Sequence, residues 1–289
     1  MIHIKKALII GAGPAGISAS LYLARSNKAD VTVVFSGKSA LEKAEKIENY
    51  FGFAQPVSGK ELLENGIAGA KRLGVKFVEE EIIGLQLSPD FKYETITPHG
   101  SETYDTVLIA TGANRTTPKI KGIKEFEGRG ISYCAVCDSF FYKGKPVAVI
   151  GSGEYALHEA MTLINTASSV TILTNGEEMK TAVPDNIPII KDKILEISGE
   201  NKVSRVIFEN GESLDTAGVF IAIGTAGSTD LARKIGAETD GNKIFVDKNM
   251  STNLPGLYAA GDCTGGLLQV SKAVADGAAA AMSMISFLK

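Results

Sequence analysis

The sequence predicts an α/β protein that contains two copies of one unit, a short apolar strand followed by a glycine turn and a helix. One copy begins near the N-terminus at Lys6, and the other begins near the middle of the chain at Lys145. Between the copies, short alternating runs are broken at Pro89 and at Gly100, which is typical of antiparallel strands. These three observations predict two α/β domains, the second inserted in the first, with a small antiparallel β insertion.

The first copy consists of the strand 6–10, the sequence Gly11-Ala12-Gly13-Pro14-Ala15-Gly16 and an apolar helical pattern. In a dinucleotide-binding, or Rossmann-like, unit the first glycine permits the tight turn and the second lets a pyrophosphate approach the backbone. The third glycine lets the helix pack on the strand. The strand 31–35 completes the unit, but Ser36 stands near the place of the acidic residue that usually binds the ribose. The ribose contact is therefore expected from another residue.

The segments 75–87 and 93–97 are predicted to form the antiparallel insertion. They lead into a buried strand at 106–112, which ends in Ala110-Thr111-Gly112. These small residues could let a cofactor lie against the backbone.

The second copy repeats the arrangement with a strand at 146–150, the turn Gly151-Ser152-Gly153 and a strand at 170–173. A strand at 218–224 is expected to close this inserted domain. The tail from Ile244 is expected to rejoin the first domain through 257–262. The predicted domains are therefore 1–113 with 227–289, and 114–226, with hinges near 113–116 and 224–228.

A dithiol sequence, Cys134-Ala135-Val136-Cys137-Asp138, lies just before the second copy. Two intervening residues let the sulfurs form a small disulfide ring, and one thiol is then easily made acidic enough to attack. A zinc site would need two more Cys or His ligands. The remaining cysteine is Cys263, and the histidines are scattered. Asp138 stands where a proton carrier for a leaving thiol is wanted, which favours redox chemistry.

Composition excludes several classes of function. The chain has 289 residues, of which 44% are hydrophobic and 22% charged, and its net charge of −3 gives no basis for nucleic-acid binding. The C-terminal helical pattern is interrupted by Asp276 and is too short for a membrane span. A reactive cysteine pair fits a reducing compartment, so a cytoplasmic location is expected.

Together these motifs resemble the low-molecular-weight thioredoxin reductases. The resemblance covers nearly the whole chain and is carried by 11–16, Glu48-Asn49-Tyr50, 110–112, the dithiol with 138–142, and 259–262. It implies a homodimeric flavoprotein with FAD in the first domain. Cys137 matches the thiol that faces the flavin, Cys134 the thiol that attacks the thioredoxin disulfide, and Asp138 the acid that protonates the departing thiolate. Cys263 is expected to be a buried packing residue.

The resemblance also implies a set of FAD-binding residues. Asp262 matches the residue that holds the ribityl chain and the phosphate end, and Gln269 and Val270 match the stretch against the isoalloxazine ring. The whole expected set is Gly11, Gly13, Pro14, Ala15, Gly16, Ser36, Asn49, Ala110, Thr111, Gly112, Gly261, Asp262, Gln269 and Val270.

The second copy departs from the NADPH-dependent members of the family. Their His-Arg-Arg and a later arginine, which bind the 2′-phosphate, are replaced by Thr174-Asn175-Gly176 and Lys180. Glu177, Glu178 and Glu154 add negative charge where an anion would bind. In the first domain, the family's Gly-Gly-Gln-Leu segment is replaced by Ser39-Ala40-Leu41 and an expected lysine-rich helix.

These departures make the chain most similar to the ferredoxin-dependent flavin thioredoxin reductases, which lack NADPH-binding residues. Reduced ferredoxin is the favoured electron donor, with Lys38, Lys43 and Lys46 as candidates for a basic docking patch. Use of NADH, with Glu177 or Glu178 at the ribose, or of NADPH through Lys180 stays open. A flavin-binding redox sensor is the non-enzymatic alternative. No nucleic acid or membrane partner is expected.

Overall fold

A computed structural model describes residues 4–90, 92–112, 118–133, 135–223, 228–241 and 243–289. It includes the backbone of Val136, Cys137 and Ser228 but not their side chains. Cys134, the side chain of Cys137 and nearly all of the two predicted hinges therefore lie outside the described residues.

Within the described residues the strands are β1 (Lys5–Ile10), β2 (Ala29–Phe35), β3 (Lys76–Glu79), β4 (Gly84–Leu87), β5 (Tyr93–Thr97), β6 (Gly100–Tyr104), β7 (Thr106–Ile109), β8 (Ile131–Ser132), β9 (Pro146–Ile150), β10 (Ser169–Leu173), β11 (Ile189–Ile190), β12 (Ile194–Ser198), β13 (Arg205–Phe208), β14 (Ser213–Asp215), β15 (Gly218–Ile221), β16 (Thr239–Asp240), β17 (Lys243–Ile244) and β18 (Leu257–Ala259). The α-helices are α1 (Pro14–Ser26), α2 (Gly59–Arg72), α3 (Ala135–Asp138), α4 (Glu154–Leu163), α5 (Ser228–Lys234) and α6 (Val270–Phe287). Short 3₁₀ helices span Ala40–Lys43, Ser139–Tyr142 and Asp262–Thr264.

The chain divides into two compact units, Met1–Arg115 with Gly227–Lys289, and Thr116–Ala226. The first unit contains a parallel sheet in the order β18-β7-β1-β2-β3 and an antiparallel sheet β4-β5-β6. The second unit contains a parallel sheet in the order β11-β10-β9-β15-β8 and an antiparallel sheet β12-β13-β14. The predicted α/β class, with Rossmann-like parallel sheets and small antiparallel sheets, is confirmed.

The core of the first unit is built from apolar strand residues and small helical residues. Ala7 and Ile9 of β1 are fully buried, as expected for a central parallel strand. Helix α6 crosses α1 closely at Gly277, where an added Cβ would lie 2.1 Å from the Ala15 carbonyl oxygen. This close packing fixes the start of α1 against α6.

Two predictions about the first unit are wrong. The segment 75–87 was expected to be wholly antiparallel, but β3 pairs in parallel with β2 because it returns to the main sheet through α2. The expected lysine-rich helix after Ser39 is only the 3₁₀ helix Ala40–Lys43. It ends there because Ala44 is extended and Ile47 then exchanges backbone hydrogen bonds with Val57.

Candidate active site

The first glycine turn connects β1 to α1 and lies against the end of β7. Gly11 has a φ of 115°, and an added Cβ there would lie 2.4 Å from the Ala110 carbonyl oxygen. At Gly16, an added Cβ would lie 2.0 Å from the Gly11 carbonyl oxygen. Side chains are therefore excluded from both positions, and the turn brings backbone amides close to Ala110-Thr111-Gly112.

The N-terminus of α1 has the features of an anion site. Gly13 caps the helix without a side-chain hydrogen bond, Pro14 is the first helical residue, and the first turn contains no acidic residue. A Cβ at Gly13 would have Ser39 Oγ as its nearest neighbour, at 3.8 Å, so there is space above the turn. Backbone N–H groups of a helix start and the helix dipole both attract an anion into such a space.

Thr111, just beyond β7, carries an unsatisfied polar atom. Its buried Oγ1 has no hydrogen-bond partner among the residues that the structure describes. A buried hydroxyl without a hydrogen-bond partner lowers the stability of the protein, so this atom needs a hydrogen-bond partner. Ala110 beside it is buried, and Gly112 has a φ of 75°.

The third part of this site is the turn that begins at Gly261. Gly261 has a φ of 84°, and Asp262, which starts a 3₁₀ helix, is half-buried. Cys263 is fully buried, and its thiol lies 3.3 Å from the Ala260 carbonyl oxygen. Burial raises the pKa of Cys263 to about 12, so its thiol stays protonated. The expectation that Cys263 is buried in packing is confirmed.

Lys272 in α6 fixes this turn, a role that the sequence reasoning missed. Its Nζ donates to the carbonyl oxygens of Gly261 and Gly265, at 3.0 and 2.7 Å, and to Thr264 Oγ1 at 2.9 Å. It also pairs with Asp276 Oδ2 at 2.7 Å, and that oxygen accepts from the Gly261 amide at 3.1 Å. The i,i+4 spacing of Lys272 and Asp276 was the available signal.

The remaining predicted FAD-binding residues lie at two other positions of the same unit. Gln269 caps α6, with Val270 as the first helical residue, and its side chain accepts a hydrogen bond from Asn49 Nδ2 at 3.0 Å. The structure thus brings the Asn49 segment to the start of α6. Ser36 follows β2 and is exposed.

The dithiol segment is described from Ala135 onward. Asp138 is half-buried, and its Oδ2 accepts a hydrogen bond from Ser132 Oγ at 2.6 Å. Ser132 is buried in β8, so it holds the Asp138 carboxylate in place. Burial, followed by the charge of Asp138, raises the pKa of the nearby Tyr142 phenol.

A second carboxylate lies beside the dithiol helix. Glu159 is 1% exposed, and its Oε2 accepts a hydrogen bond from the Ala135 amide at 2.7 Å. It stands on the buried face of α4 with Tyr155 and Leu163. A glutamate in that row of apolar residues was the signal that could have identified it from the sequence.

The second glycine turn differs from the first in what surrounds it. The Ser152 hydroxyl donates to Glu177 Oε2 at 2.5 Å, and Lys180 Nζ donates to the same oxygen at 3.1 Å. These contacts lower the pKa of Glu177, the Ser152 hydrogen bond contributing most. Glu154 lies in the first turn of α4. The space beside this turn therefore holds a carboxylate of the protein itself.

The comparisons with known proteins decide the family. Residues 5–277 match the pyridine nucleotide-disulphide oxidoreductase model. The chain is 36% identical to the thioredoxin reductase of Aquifex aeolicus, covering 97% of this chain and 92% of the relative. It is also 36% identical to that of Rickettsia prowazekii, covering 98% of each. The chain belongs to the thioredoxin reductase family.

Two crystal structures extend the comparison with the thioredoxin reductase family. The atypical thioredoxin reductase TRi from Desulfovibrio vulgaris Hildenborough matches with a TM-score of 0.91 and 36% identity, covering 98% of both chains. A ferredoxin-flavin thioredoxin reductase from Clostridium acetobutylicum matches with a TM-score of 0.69 and 32% identity, covering 98% of this chain and 97% of that one.

Thioredoxin reductases are disulfide oxidoreductases that bind FAD, and the residues of the first unit fit this cofactor. The start of α1, where no side chain bonds the first amides, the space above Gly13 and the unpartnered Thr111 hydroxyl suit a pyrophosphate and polar groups of a dinucleotide. When bound, FAD supplies the electron-transfer chemistry that the side chains of the protein lack.

The described part of the chain contains neither a candidate membrane span nor a candidate metal cluster. Its helices include none that is both long and apolar enough to cross a membrane. It also contains no group of three or more His, Cys, Asp or Glu side chains placed to hold a metal ion.

Proposed function

We propose that this chain is a thioredoxin reductase that takes electrons from reduced ferredoxin and passes them, through FAD and the Cys134–Cys137 dithiol, to the disulfide of thioredoxin. The observation that carries the choice of donor is the Glu177 carboxylate bonded to Ser152 at the second glycine turn. The names of the relatives support thioredoxin as the acceptor, and one neighbouring crystal structure is named for ferredoxin.

The charges around the second glycine turn favour a donor other than a nicotinamide dinucleotide. A nicotinamide dinucleotide needs free backbone amides at a helix start, and NADPH also needs cationic groups for its 2′-phosphate. Here Ser152 is bonded to Glu177, the ammonium of Lys180 is paired with that same carboxylate, and Glu154 adds negative charge to the helix start. An incoming phosphate would therefore meet carboxylates instead of cations.

The side chains after β10 also form hydrogen bonds and ion pairs within the protein. Asn175 Oδ1 accepts a hydrogen bond from the Ile194 amide at 2.8 Å, and Thr174 Oγ1 donates to the Glu177 carbonyl oxygen at 2.5 Å. Glu178 is paired with Lys191. This region supports a role of the second unit as a scaffold for the dithiol, with the glycine turn retained for folding.

In this proposal residues 1–113 and 227–289 bind FAD, and residues 114–226 carry the dithiol. The amides of Gly13, Ala15 and Gly16 hold the pyrophosphate next to Pro14, which has no N–H to donate. Thr111 and Asp262 offer polar contacts, and Gln269 and Val270 line the ring. The remaining contacts are assigned to Gly11, Ser36, Asn49, Ala110, Gly112 and Gly261.

In the proposed reaction, Cys134, Cys137 and Asp138 have different roles. Reduction of the Cys134–Cys137 disulfide takes up two electrons, delivered singly by two ferredoxins, and breaks one S–S bond. The Cys134 thiolate then attacks the thioredoxin disulfide and forms a mixed disulfide, which Cys137 resolves. Asp138, held by Ser132, gives a proton to the departing thiolate. The net result is one dithiol oxidised and one thioredoxin disulfide reduced.

The other partner proposals follow from charge and from the family. Ferredoxins are acidic, and the exposed Lys38, Lys43 and Lys46 lie in the segment after β2, in the unit assigned to FAD. The chain is proposed to act as a homodimer in the cytoplasm, where a dithiol of this kind can be kept reduced.

Anaerobic absorbance of the purified holoprotein tests the donor. We expect the flavin band to bleach within seconds with reduced ferredoxin and to stay unbleached for many minutes with excess NADPH or NADH. Prompt bleaching by either nucleotide would refute the ferredoxin proposal. Dithionite, which reduces flavins without a protein donor, serves as the control that the bound flavin can be reduced.

A second measurement tests the acceptor. Thioredoxin is added with a ferredoxin-reducing system, and its new thiols are counted. Wild-type protein should turn over, while Cys134→Ser should not. Absence of turnover in the wild type with every donor would favour the redox-sensor alternative.

A further inference from the structure

A short loop at residues 48–56 presents aromatic side chains to solvent. It leaves the fold at Ile47 and returns at Val57, two buried residues whose backbones exchange hydrogen bonds at 2.8 and 3.2 Å. Phe51, in the turn of this loop, is 99% exposed, and Phe53 is also exposed. Because Ile47 and Val57 supply the buried contacts, folding gives no reason for a phenylalanine at position 51.

The same loop is joined to the segment that precedes α6. Asn49 Nδ2 donates to Gln269 Oε1 at 3.0 Å, and Leu267 and Leu268, just before Gln269, are both exposed. Two residues of chain span at most about 7 Å, so Phe51 and the two leucines all lie close to this hydrogen bond. Four residues make up this apolar patch: Phe51, Phe53, Leu267 and Leu268.

The location of the apolar patch points to a partner protein. Single exposed apolar residues are ordinary, whereas a contiguous exposed patch of roughly a few hundred Å² marks an interaction site. The patch adjoins Gln269 and Val270, which the proposed function assigns to the flavin ring. A partner that covers the patch is therefore placed close to the flavin.

Charged side chains beside the apolar patch include more cations than acids. The exposed charged residues in 38–56, in 264–271 and at the neighbouring position 243 are Lys38, Lys43, Lys46, Lys243, Glu45 and Glu48. Lys243 lies along the turn after Gly261, since an added Cβ at Gly265 would be 2.5 Å from Lys243 Cδ. Glu42 is half-buried, and its carboxylate accepts from the Ser39 amide at 3.0 Å. The excess of lysines is local, because the whole chain has a net charge of −3.

We propose that the apolar patch is the docking surface for the electron donor, an acidic one-electron carrier protein of the ferredoxin type. Apolar contacts at the centre of the interface hold the carrier beside the flavin, and the surrounding lysines attract its acidic surface. Interfaces between electron-transfer proteins are small, because the carrier must leave after each electron. Four exposed apolar side chains fit such a short-lived contact. This inference rests on the proposed choice of ferredoxin as donor.

Binding of oxidised ferredoxin to the oxidised holoprotein measures docking without electron transfer. By titration calorimetry, we expect the wild-type Kd to rise at least tenfold between about 0.05 and about 0.5 M salt. Phe51→Ser should raise the Kd at low salt about tenfold, because the central apolar contact is lost. Phe51→Leu keeps an apolar side chain and should raise it less than about threefold. Absence of wild-type binding at low salt, or no effect of Phe51→Ser, would overturn the proposal.

Two matched pairs of variants separate this surface from general effects of substitution. Leu268→Ser should raise the Kd about fivefold, whereas Leu87→Ser, at an exposed leucine of β4, should leave it unchanged. Lys46→Glu should raise it about fivefold. Lys28→Glu should not, because Lys28 is exposed just before β2, at the sheet edge opposite the first glycine turn. Circular dichroism and FAD content confirm that each variant is folded. Equal effects within either pair would contradict the proposal.

Two further readouts identify other occupants of the apolar patch. Reduced methyl viologen is a small one-electron donor that needs no docking surface, so thioredoxin reduction driven by it should be the same in Phe51→Ser and wild type. A loss in the variant would show that the patch serves contacts within the chain. A lower sedimentation mass of Phe51→Ser would show that a second copy of the chain covers the patch. Either result would overturn the proposal.

Anaerobic bleaching of the flavin distinguishes failure of this proposal from failure of the proposed function. If reduced ferredoxin bleaches Phe51→Ser as fast as wild type, ferredoxin remains the donor and the docking surface is wrong. If ferredoxin binds with the expected pattern among the variants but does not bleach the flavin, the docking surface is supported and the proposed function is wrong.

Discussion

The two glycine turns have the same backbone and different chemistry. In the first, an added Cβ at Gly11 would lie 2.4 Å from the Ala110 carbonyl oxygen. In the second, one at Gly151 would lie 2.1 Å from that of Ala222. Both turns thus approach the neighbouring strand equally closely. Among the described residues, an unpartnered hydroxyl lies beside the first turn, at Thr111, whereas the second turn has Glu177 bonded to Ser152.

The difference separates what folding requires from what binding requires. Glycine at the start of each turn is demanded by the close approach to a strand, so it persists whether or not a ligand binds. The residues that would contact a ligand are free of that constraint. A glycine signature therefore predicts the local fold, and the charges around it predict the ligand.

The sharpest test of this comparison substitutes the middle glycine of each turn. Gly13→Ala meets no protein atom closer than 3.8 Å, and Gly153→Ala meets none within 4 Å, so both variants should fold. We expect Gly13→Ala to weaken FAD binding at least a hundredfold, about 2.8 kcal/mol, because the methyl group occupies the pyrophosphate space. Gly153→Ala should leave FAD binding and ferredoxin-linked turnover unchanged.

Titration of apoprotein with FAD, followed by flavin fluorescence, measures both affinities. Equal losses in the two variants would show that the second turn also serves a ligand and would remove the basis for the ferredoxin proposal. Equal retention would show that the FAD pyrophosphate lies elsewhere.

The sequence predicted the parts of the fold that local pattern controls. Strand β1, the turn at Gly11 and helix α1 follow from an apolar run, glycines and a helical period. The parallel pairing of β3 was missed because it depends on helix α2, which turns the chain back to the main sheet. A strand of four residues carries no signal of its own for the sheet that it joins.

For the candidate site, the sequence located the residues but not their hydrogen bonds. The proposed FAD-binding residues were predicted from motifs, and the structure groups many of them around the start of α1. By contrast, Lys272 and Glu159 act through contacts with backbone atoms of distant segments. Those contacts depend on tertiary packing, which no local pattern specifies. Neither Lys272 nor Glu159 is therefore among the site residues that the sequence predicts.

The second prediction compares two lysines, one near each turn. Lys272→Met removes the cation that joins Gly261, Gly265 and Asp276, and we expect about 2 kcal/mol loss in the free energy of unfolding with weaker FAD binding. Lys180→Met removes an exposed pair with Glu177 and should cost less than about 1 kcal/mol with FAD binding unchanged. Urea unfolding and FAD titration measure both. A larger effect at Lys180 would reverse the comparison.

The third prediction uses the unpartnered hydroxyl. Thr111→Val replaces the buried Oγ1 by a methyl group of similar shape. We expect apoprotein to gain about 1 kcal/mol in stability, because an unsatisfied buried group is removed, and FAD affinity to fall about fivefold, because FAD loses a hydrogen bond. The diagnostic result is a gain in apoprotein stability together with a loss of FAD affinity. In the second turn, Ser152→Ala should destabilise the apoprotein and leave FAD affinity unchanged, because its hydroxyl already bonds Glu177.

The smallest expected effect is the pH dependence of the Glu177 contact. The Ser152 hydrogen bond, then Lys180, lowers the folded-state pKa of Glu177 below its ordinary value of 4.5. A carboxylate whose pKa is lower in the folded protein than in the unfolded chain stabilises the fold at pH values above its unfolded-state pKa. This contribution is lost as the pH falls through the folded-state pKa. Glu177→Gln should therefore cost stability at pH 7, by less than about 0.5 kcal/mol because the side chain is 57% exposed, and should cost less at pH 3 than at pH 7. Urea unfolding at both pH values measures it, with the exposed Glu200→Gln as control. A cost that grows as the pH falls would show that the Glu177 carboxylate is not held by Ser152, and the second turn would then be open to a ligand.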